Sequence, residues 1–110
     1  MSRRLCFALD LIDDAALIAE YERWHAPGGV WPEILADIRR SGVLDMEIWR
    51  VADRLFMIMA VADDYPRDRP DEPREPEWQA LMWRFQKPLA AAADGEKWVS
   101  MTRIFTLAGE

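Results

Sequence analysis

Residues 43–62 read VLDMEIWRVADRLFMIMAVA: two nine-residue runs, Val43–Val51 and Arg54–Ala62, on either side of Ala52-Asp53. Two strand-like runs joined by a two-residue link predict a β-hairpin. The second run, RLFMIMAVA, is apolar at odd and even positions alike. In a strand successive side chains point to opposite faces, so both faces of this run require cover. Helices of the same chain can cover one. The other is expected to meet a second subunit, since two-fold dimers are the commonest oligomers.

Upstream of the hairpin, the apolar run Arg4–Leu11 predicts a first strand, and Asp10, Asp13 and Asp14 supply helix N-caps after it. Leu17, Ile18 and Tyr21 recur at helical spacing, which predicts a helix over Ala15–Trp24. Pro27-Gly28-Gly29 breaks it. A second helix restarts at Trp31-Pro32-Glu33, where proline in the first turn sacrifices no hydrogen bond. Ile34, Leu35 and Ile38 form its apolar stripe, and Ser41-Gly42 closes it.

Downstream, Asp63–Glu77 holds four prolines and ten charged residues, with Tyr65 its one apolar side chain. That composition predicts a long exposed loop. Helical spacing returns over Trp78–Gln86 through Leu81, Met82 and Phe85. Pro88 and Asp94-Gly95 then turn the chain into a last strand over Lys97–Leu107. The order is β-α-β-β-α-β with an extra helix in the first crossover. This is an α+β, ferredoxin-like pattern with a four-stranded antiparallel sheet. Two such sheets packed face to face would form a dimeric α/β-barrel assembly.

At 110 residues the chain is expected to be one domain over 1–110. It is 51% hydrophobic and 31% charged, which excludes a disordered chain. Its 14 basic against 20 acidic residues give a net charge of −6, and no basic stripe suits nucleic acid. The apolar runs are far shorter than the ~20 residues a membrane helix needs, so no membrane partner is expected. A lone Cys6 and no secretory h-region point to a reduced, cytoplasmic protein. Six Trp, six Met and four Phe are more bulk than so small a core absorbs. Some of it should line a pocket or an interface.

His25 is the only histidine and the one side chain whose ordinary pKa lies near neutral pH. A lone histidine is more often solvated than catalytic, but this one has company. Tyr21 lies one helical turn earlier on the same face, and Trp24, Trp31 and the Pro-Gly-Gly link are adjacent. The helix C-terminus should favour the imidazolium and hence a proton donor. Trp78, directly after the charged loop, is either core or a platform for a sugar face. On the hairpin, Glu47 and Trp49 point together, towards either a ligand hydroxyl or solvent. One His and one Cys make no metal cluster, and phosphate, dinucleotide and nucleophile-elbow motifs are missing. No cofactor or metal is therefore expected. What remains is modest proton transfer.

Tyr21-x3-His25, then Trp31-Pro32-Glu33, then a Gly42 turn, an apolar hairpin and Trp78-x3-Met82, resembles the L-rhamnose mutarotase family. The resemblance runs in order along nearly the whole chain. It implies a dimeric ferredoxin-like α+β protein that interconverts α and β anomers of 6-deoxy sugars without a cofactor. It further implies that His25 is the proton donor and that Tyr21 and Trp78 contact the sugar. There are departures. Gly28-Gly29 lengthen the link between the histidine and Trp-Pro-Glu, Met46 stands where rhamnose-type members carry a hairpin tyrosine, and Gln79 replaces the second tryptophan of a Trp-Trp pair. HAPGGVWPEI with EIWR and RLFMIM looks like the L-fucose branch, so L-fucose is favoured over L-rhamnose. Two other readings remain: a cofactor-independent monooxygenase on the same scaffold, or a non-catalytic small-molecule-binding module.

Overall fold

The computed structural model describes residues 2–110. Strand β1 (Ser2–Leu11) leads to helix α1 (Ala15–Trp24) and helix α2 (Pro32–Arg40). The hairpin follows as β2 (Val43–Val51) and β3 (Arg54–Ala62), then α3 (Glu75–Trp83), β4 (Gln86–Lys87) and β5 (Val99–Ser100). A short 3-10 helix, Leu107–Gly109, ends the chain. β3 lies between β2 and β1, antiparallel to both, and β4 and β5 share the other edge of β1. The sheet is the antiparallel ferredoxin-like arrangement expected. Among the described residues no helix is long and apolar enough to cross a membrane.

Local chemistry explains the elements. The Asp14 carboxylate accepts the Leu17 amide at 3.0 Å and caps α1. Pro32 opens α2. Ala52 takes φ +50° in the two-residue hairpin link, the left-handed region such tight connections require. One extra residue near Leu44 breaks the β2–β3 register.

Along β3 the side chains alternate. Leu55, Met57, Met59 and Val61 are buried beneath the helices, and Phe56, Ile58, Ala60 and Ala62 lie half-covered on the outer face. Two clusters make the core. One gathers Leu11, Tyr21, Ile34, Trp78, Met82 and Phe85, the other Val43, Met57, Met59 and Val61; Ile38 and Trp98 pack against both.

Two expectations are corrected. The third helix starts at Glu75, not Trp78, and stops at Trp83. Pro76 in its first turn needs no amide partner, so a proline-rich acidic stretch that reads as loop is also a good helix start. Phe85-Gln86 then leaves the helix, and Gln86 pairs with Leu11. The last strand is also far shorter than Lys97–Leu107. Only Val99–Ser100 pairs, opposite Ala8 and Phe7, with one further bond from the Met101 amide to the Cys6 carbonyl. Beyond it Ile104, Phe105 and Leu107 are 94, 62 and 78% exposed. They gain no burial in one chain that would hold them against the sheet edge.

The charged loop is irregular as expected, but strapped down. Arg69 grips Asp37 of α2 with two bonds, 2.8 Å and 3.2 Å, and the Arg67 amide reaches the Ser41 carbonyl at 2.9 Å. The Arg69 guanidinium holds the Asp37 carboxyl below its usual range. Stability from this pair is therefore present above the unfolded aspartate value of about 3.9 and lost as pH falls through the lower folded value. Arg69→Ala is expected to cost about 1.5–3 kcal/mol, the range for bonds to a charged group. Urea unfolding at pH 7 would measure this, and the difference from the parent protein should shrink below about pH 4.

Candidate active site

His25 ends α1, where the last turn leaves backbone carbonyls without helical partners. Its ring fills that gap: Nδ1 lies 2.8 Å from the Tyr21 carbonyl oxygen. A carbonyl only accepts, so Nδ1 carries the proton and Nε2 is left to face the cavity. Burial pushes the imidazole below its ordinary 6.5, and the Tyr21 carbonyl works weakly the other way. The helix-end argument for an imidazolium thus loses to desolvation. At neutral pH His25 rests uncharged, its Nε2 lone pair ready to take a proton.

The chain beyond the histidine is held close. A Cβ on Gly29 would sit 2.4 Å from the Trp24 carbonyl oxygen, so no side chain fits there. Gly28 before it takes φ +84°. This tight link folds Val30 and Trp31 back over α1.

Tyr21 is 3% exposed, its ring 4.3 Å from that of His25. Burial pushes the phenol up to about 12, so it stays an O–H group throughout the working range. Trp78 is 6% exposed. Its ring meets Trp31 at 5.0 Å, Trp24 at 6.1 Å and His25 at 6.2 Å, each edge to face. Arg74 caps the cluster with its guanidinium 3.9 Å above Trp31. His25, Tyr21 and Trp78 therefore come together on the wall of one cavity of about 420 Å³, between the helices and the sheet. That volume suits a monosaccharide-sized ligand.

One face of α3, Glu75, Trp78, Gln79 and Met82, lines this cavity at helical spacing. Met46 and Ile48 of the hairpin enter it. Glu47 and Trp49 do not; both are exposed on the opposite face of β2, Trp49 by 60%. Their shared direction is towards the outside of the sheet.

Two cavity residues had no signal in the sequence. Gln86, 5% exposed on β4, donates through Nε2 to the Tyr21 hydroxyl at 3.2 Å. Its Oε1 has no hydrogen-bond partner among the described residues. Exchanging the amide O and N would leave the same count, one atom without a partner. Lys97 also reaches the cavity. Its Nζ donates to Gln79 Oε1 and stands 4.6 Å above the Trp83 ring, while Gln79 Nε2 donates to Glu75 at 2.9 Å. Burial pushes the Lys97 amine down to about 8, against the pull of Glu75. Gln86 sits in what reads as a helix end and Lys97 in what reads as a strand start, so neither could be placed at a pocket beforehand.

A ferredoxin-like sheet under three helices, with a neutral histidine, a buried phenol and aromatic walls round a small cavity, defines an acid–base enzyme architecture for a compact polar ligand. The chain belongs to the L-rhamnose mutarotase family, whose model matches residues 4–107. It is 54% identical to an L-fucose mutarotase of Xanthomonas campestris pv. campestris, over 96% of this chain and 88% of that protein. A UPF0734 protein of Dictyostelium discoideum is 32% identical over 91% of this chain and 86% of its own length. The crystal structure of an L-rhamnose mutarotase from Formosa agariphila shares the fold, with TM-score 0.66, 19% identity and coverage of 96% and 98% of the two chains.

Proposed function

We propose that this protein is a cofactor-free isomerase, a mutarotase interconverting the α and β anomers of a 6-deoxy-L-hexose. L-Fucose is the favoured substrate and L-rhamnose the next. The observation that carries the reading is the tethered His25 ring, with Nδ1–H spent on a backbone carbonyl and Nε2 facing an aromatic-walled cavity. Membership of the family supports the reaction, and the Xanthomonas relative supports L-fucose. The two relatives whose names give an activity are both mutarotases.

Mutarotation needs only proton traffic. The anomeric hydroxyl loses its proton while the ring oxygen O5 gains one as the C1–O5 bond breaks, leaving an aldehyde at C1. The C1–C2 bond turns, and the ring closes on the other face with the proton movements reversed. His25 Nε2 takes a proton on opening and, as the imidazolium, is the proton donor on closing. The Tyr21 hydroxyl, which accepts from Gln86 and keeps its own proton, offers a donor to a sugar hydroxyl. The Trp78 edge bounds the sugar ring. The reaction already runs in water, so at ~1.4 kcal/mol per tenfold a few kcal/mol suffice. Saturation-transfer proton NMR on L-fucose and L-rhamnose, with catalytic amounts of protein, tests the reading. Faster exchange for L-fucose supports it, and no acceleration of either sugar ends it in favour of a binding module.

The same proposal includes one domain acting as a cytoplasmic homodimer with no nucleic-acid partner. A sheet face bearing Trp49, Phe56 and Ile58, and a C-terminal segment with Ile104, Phe105 and Leu107 exposed, support self-association. The lone cysteine accords with a reducing compartment. Light scattering after gel filtration should give twice the 12.8 kDa chain mass, and Phe105→Asp should reduce it towards one. A monomer at micromolar concentration would refute the dimer.

A further inference from the structure

Resting on the mutarotase reading, we propose that Lys97 is the second proton-transfer group of the site, the acid that faces the ring oxygen while His25 serves the anomeric hydroxyl. Both residues line the one cavity. An ammonium has three donors. One goes to Gln79, whose own amide is fixed by Glu75, and the Trp83 face lies beneath the charge. Both contacts are to neutral groups, so the amine is oriented without being locked by a carboxylate, and a donor remains for the ligand.

The charged and titratable surroundings are few. Glu75 on α3 is the acid Lys97 feels, His25 and the un-ionised Tyr21 look in from α1, and at the α2 end the Tyr65 phenol joins Asp37 and Arg69, which neutralise one another. His25 rests neutral, so the two groups together hold one mobile proton between their titrations. Burial brings the amine close to neutral, where proton transfer in both directions is efficient.

The step balances. Lys97 Nζ–H gives its proton to O5 as the C1–O5 bond breaks and its electron pair stays on O5. The O1 proton goes to His25 Nε2, and the O–H pair becomes the second bond of the C1 aldehyde. After rotation about C1–C2, O5 attacks C1 from the other face and returns its proton to the Lys97 amine. The imidazolium reprotonates O1. Nothing is oxidised and no group is lost.

The competing reading is that Lys97 merely covers Trp83. The pH dependence of kcat/KM for anomer exchange separates them, measured by saturation-transfer NMR on the native protein, Lys97→Met and Lys97→Arg, with the uncatalysed rate subtracted. The native profile should fall on its alkaline side near pH 8. Lys97→Met should lose about 10²–10⁴-fold in kcat, with that alkaline limb gone and sugar binding, followed by tryptophan fluorescence, nearly kept. Lys97→Arg keeps a cation over Trp83, which protects the fold, but its proton is never released; kcat should stay low. Recovery of kcat by arginine would make the role one of charge alone, and Lys97→Met within threefold of the native protein, or with an unchanged alkaline limb, would make it cover. Either overturns the proposal. A native protein that accelerates neither sugar fails the mutarotase reading first, and this proposal falls with it.

Discussion

His25→Asn should slow L-fucose anomer exchange by about 10²–10⁴-fold, the span usual for one general acid–base group, with little change in KM. Asparagine can still donate to the Tyr21 carbonyl that His25 Nδ1 now reaches at 2.8 Å, so the α1 terminus keeps a partner. What goes is a group able to accept and release a proton near neutral pH. Stability should fall by about 1 kcal/mol, the scale of one net hydrogen bond. The pH dependence has a definite sign. Burial lowers the folded His25 pKa, so the folded form binds fewer protons than the unfolded chain below about pH 6.5. The native protein therefore loses stability as pH drops from about 6.5 through the folded value, and His25→Asn lacks that loss. Exchange rates should likewise fade on the acid side below 6.5, where Nε2 becomes protonated. Saturation-transfer NMR with parallel urea melts measures both, and a variant exchanging within threefold of the native protein would remove His25 from the chemistry.

How much of this was legible beforehand depended on where the sequence carries a period. The hairpin is marked by two nine-residue strand-like runs on either side of Ala52-Asp53, and its two strands run over the expected residues. Helix α1 has an aspartate cap and apolar spacing, and it too matches. The helix-period pairing of Tyr21 with His25 placed both on one face, and their rings lie 4.3 Å apart. Periodicity failed where elements are held by tertiary partners. β4 and β5 have two residues each and exist because β1 offers an unpaired edge. No window that short carries a pattern. The segment after Met101 is rich in strand-favouring residues, Thr102, Ile104, Phe105 and Thr106, yet lacks a strand partner among the described residues, so local preference had nothing to act on.

The protonation state of His25 departs from the helix-end expectation for a related reason. Its place at a helix end is visible in sequence, whereas the rings that strip water from it come from α3 as well as α1. Loss of hydration is the larger influence on the ring, and it favours the uncharged form. Gln86 and Lys97 carry no signal in the sequence because each reaches the cavity from a different element. A sequence pattern shows which residues share a face within one element. It does not show which elements converge.

Trp78→Ala should be the costliest single change at the site, at about 3–5 kcal/mol, the range for removing a buried aromatic side chain. Trp78 is 6% exposed and touches Trp24, His25 and Trp31 edge to face, so no neighbour can slide into its space without breaking a ring contact. The loss propagates. Trp31 carries the Arg74 guanidinium at 3.9 Å, and Arg74 also reaches Glu33 of α2 at 3.5 Å, so the join between α2 and α3 loosens with it. Against a total stability of about 5–15 kcal/mol this is severe. KM for the sugar should rise together with a fall in kcat, because water enters the wall against which His25 is held. Trp78→Phe should recover much of the stability, since a smaller ring can still meet Trp31. Urea unfolding of both variants, with exchange kinetics at matched folded fraction, tests the point. If Trp78→Ala costs under about 1 kcal/mol and raises KM alone, the ring is a sugar platform and not part of the wall. The readings differ because a platform works with one exposed face, while a wall depends on every edge being covered.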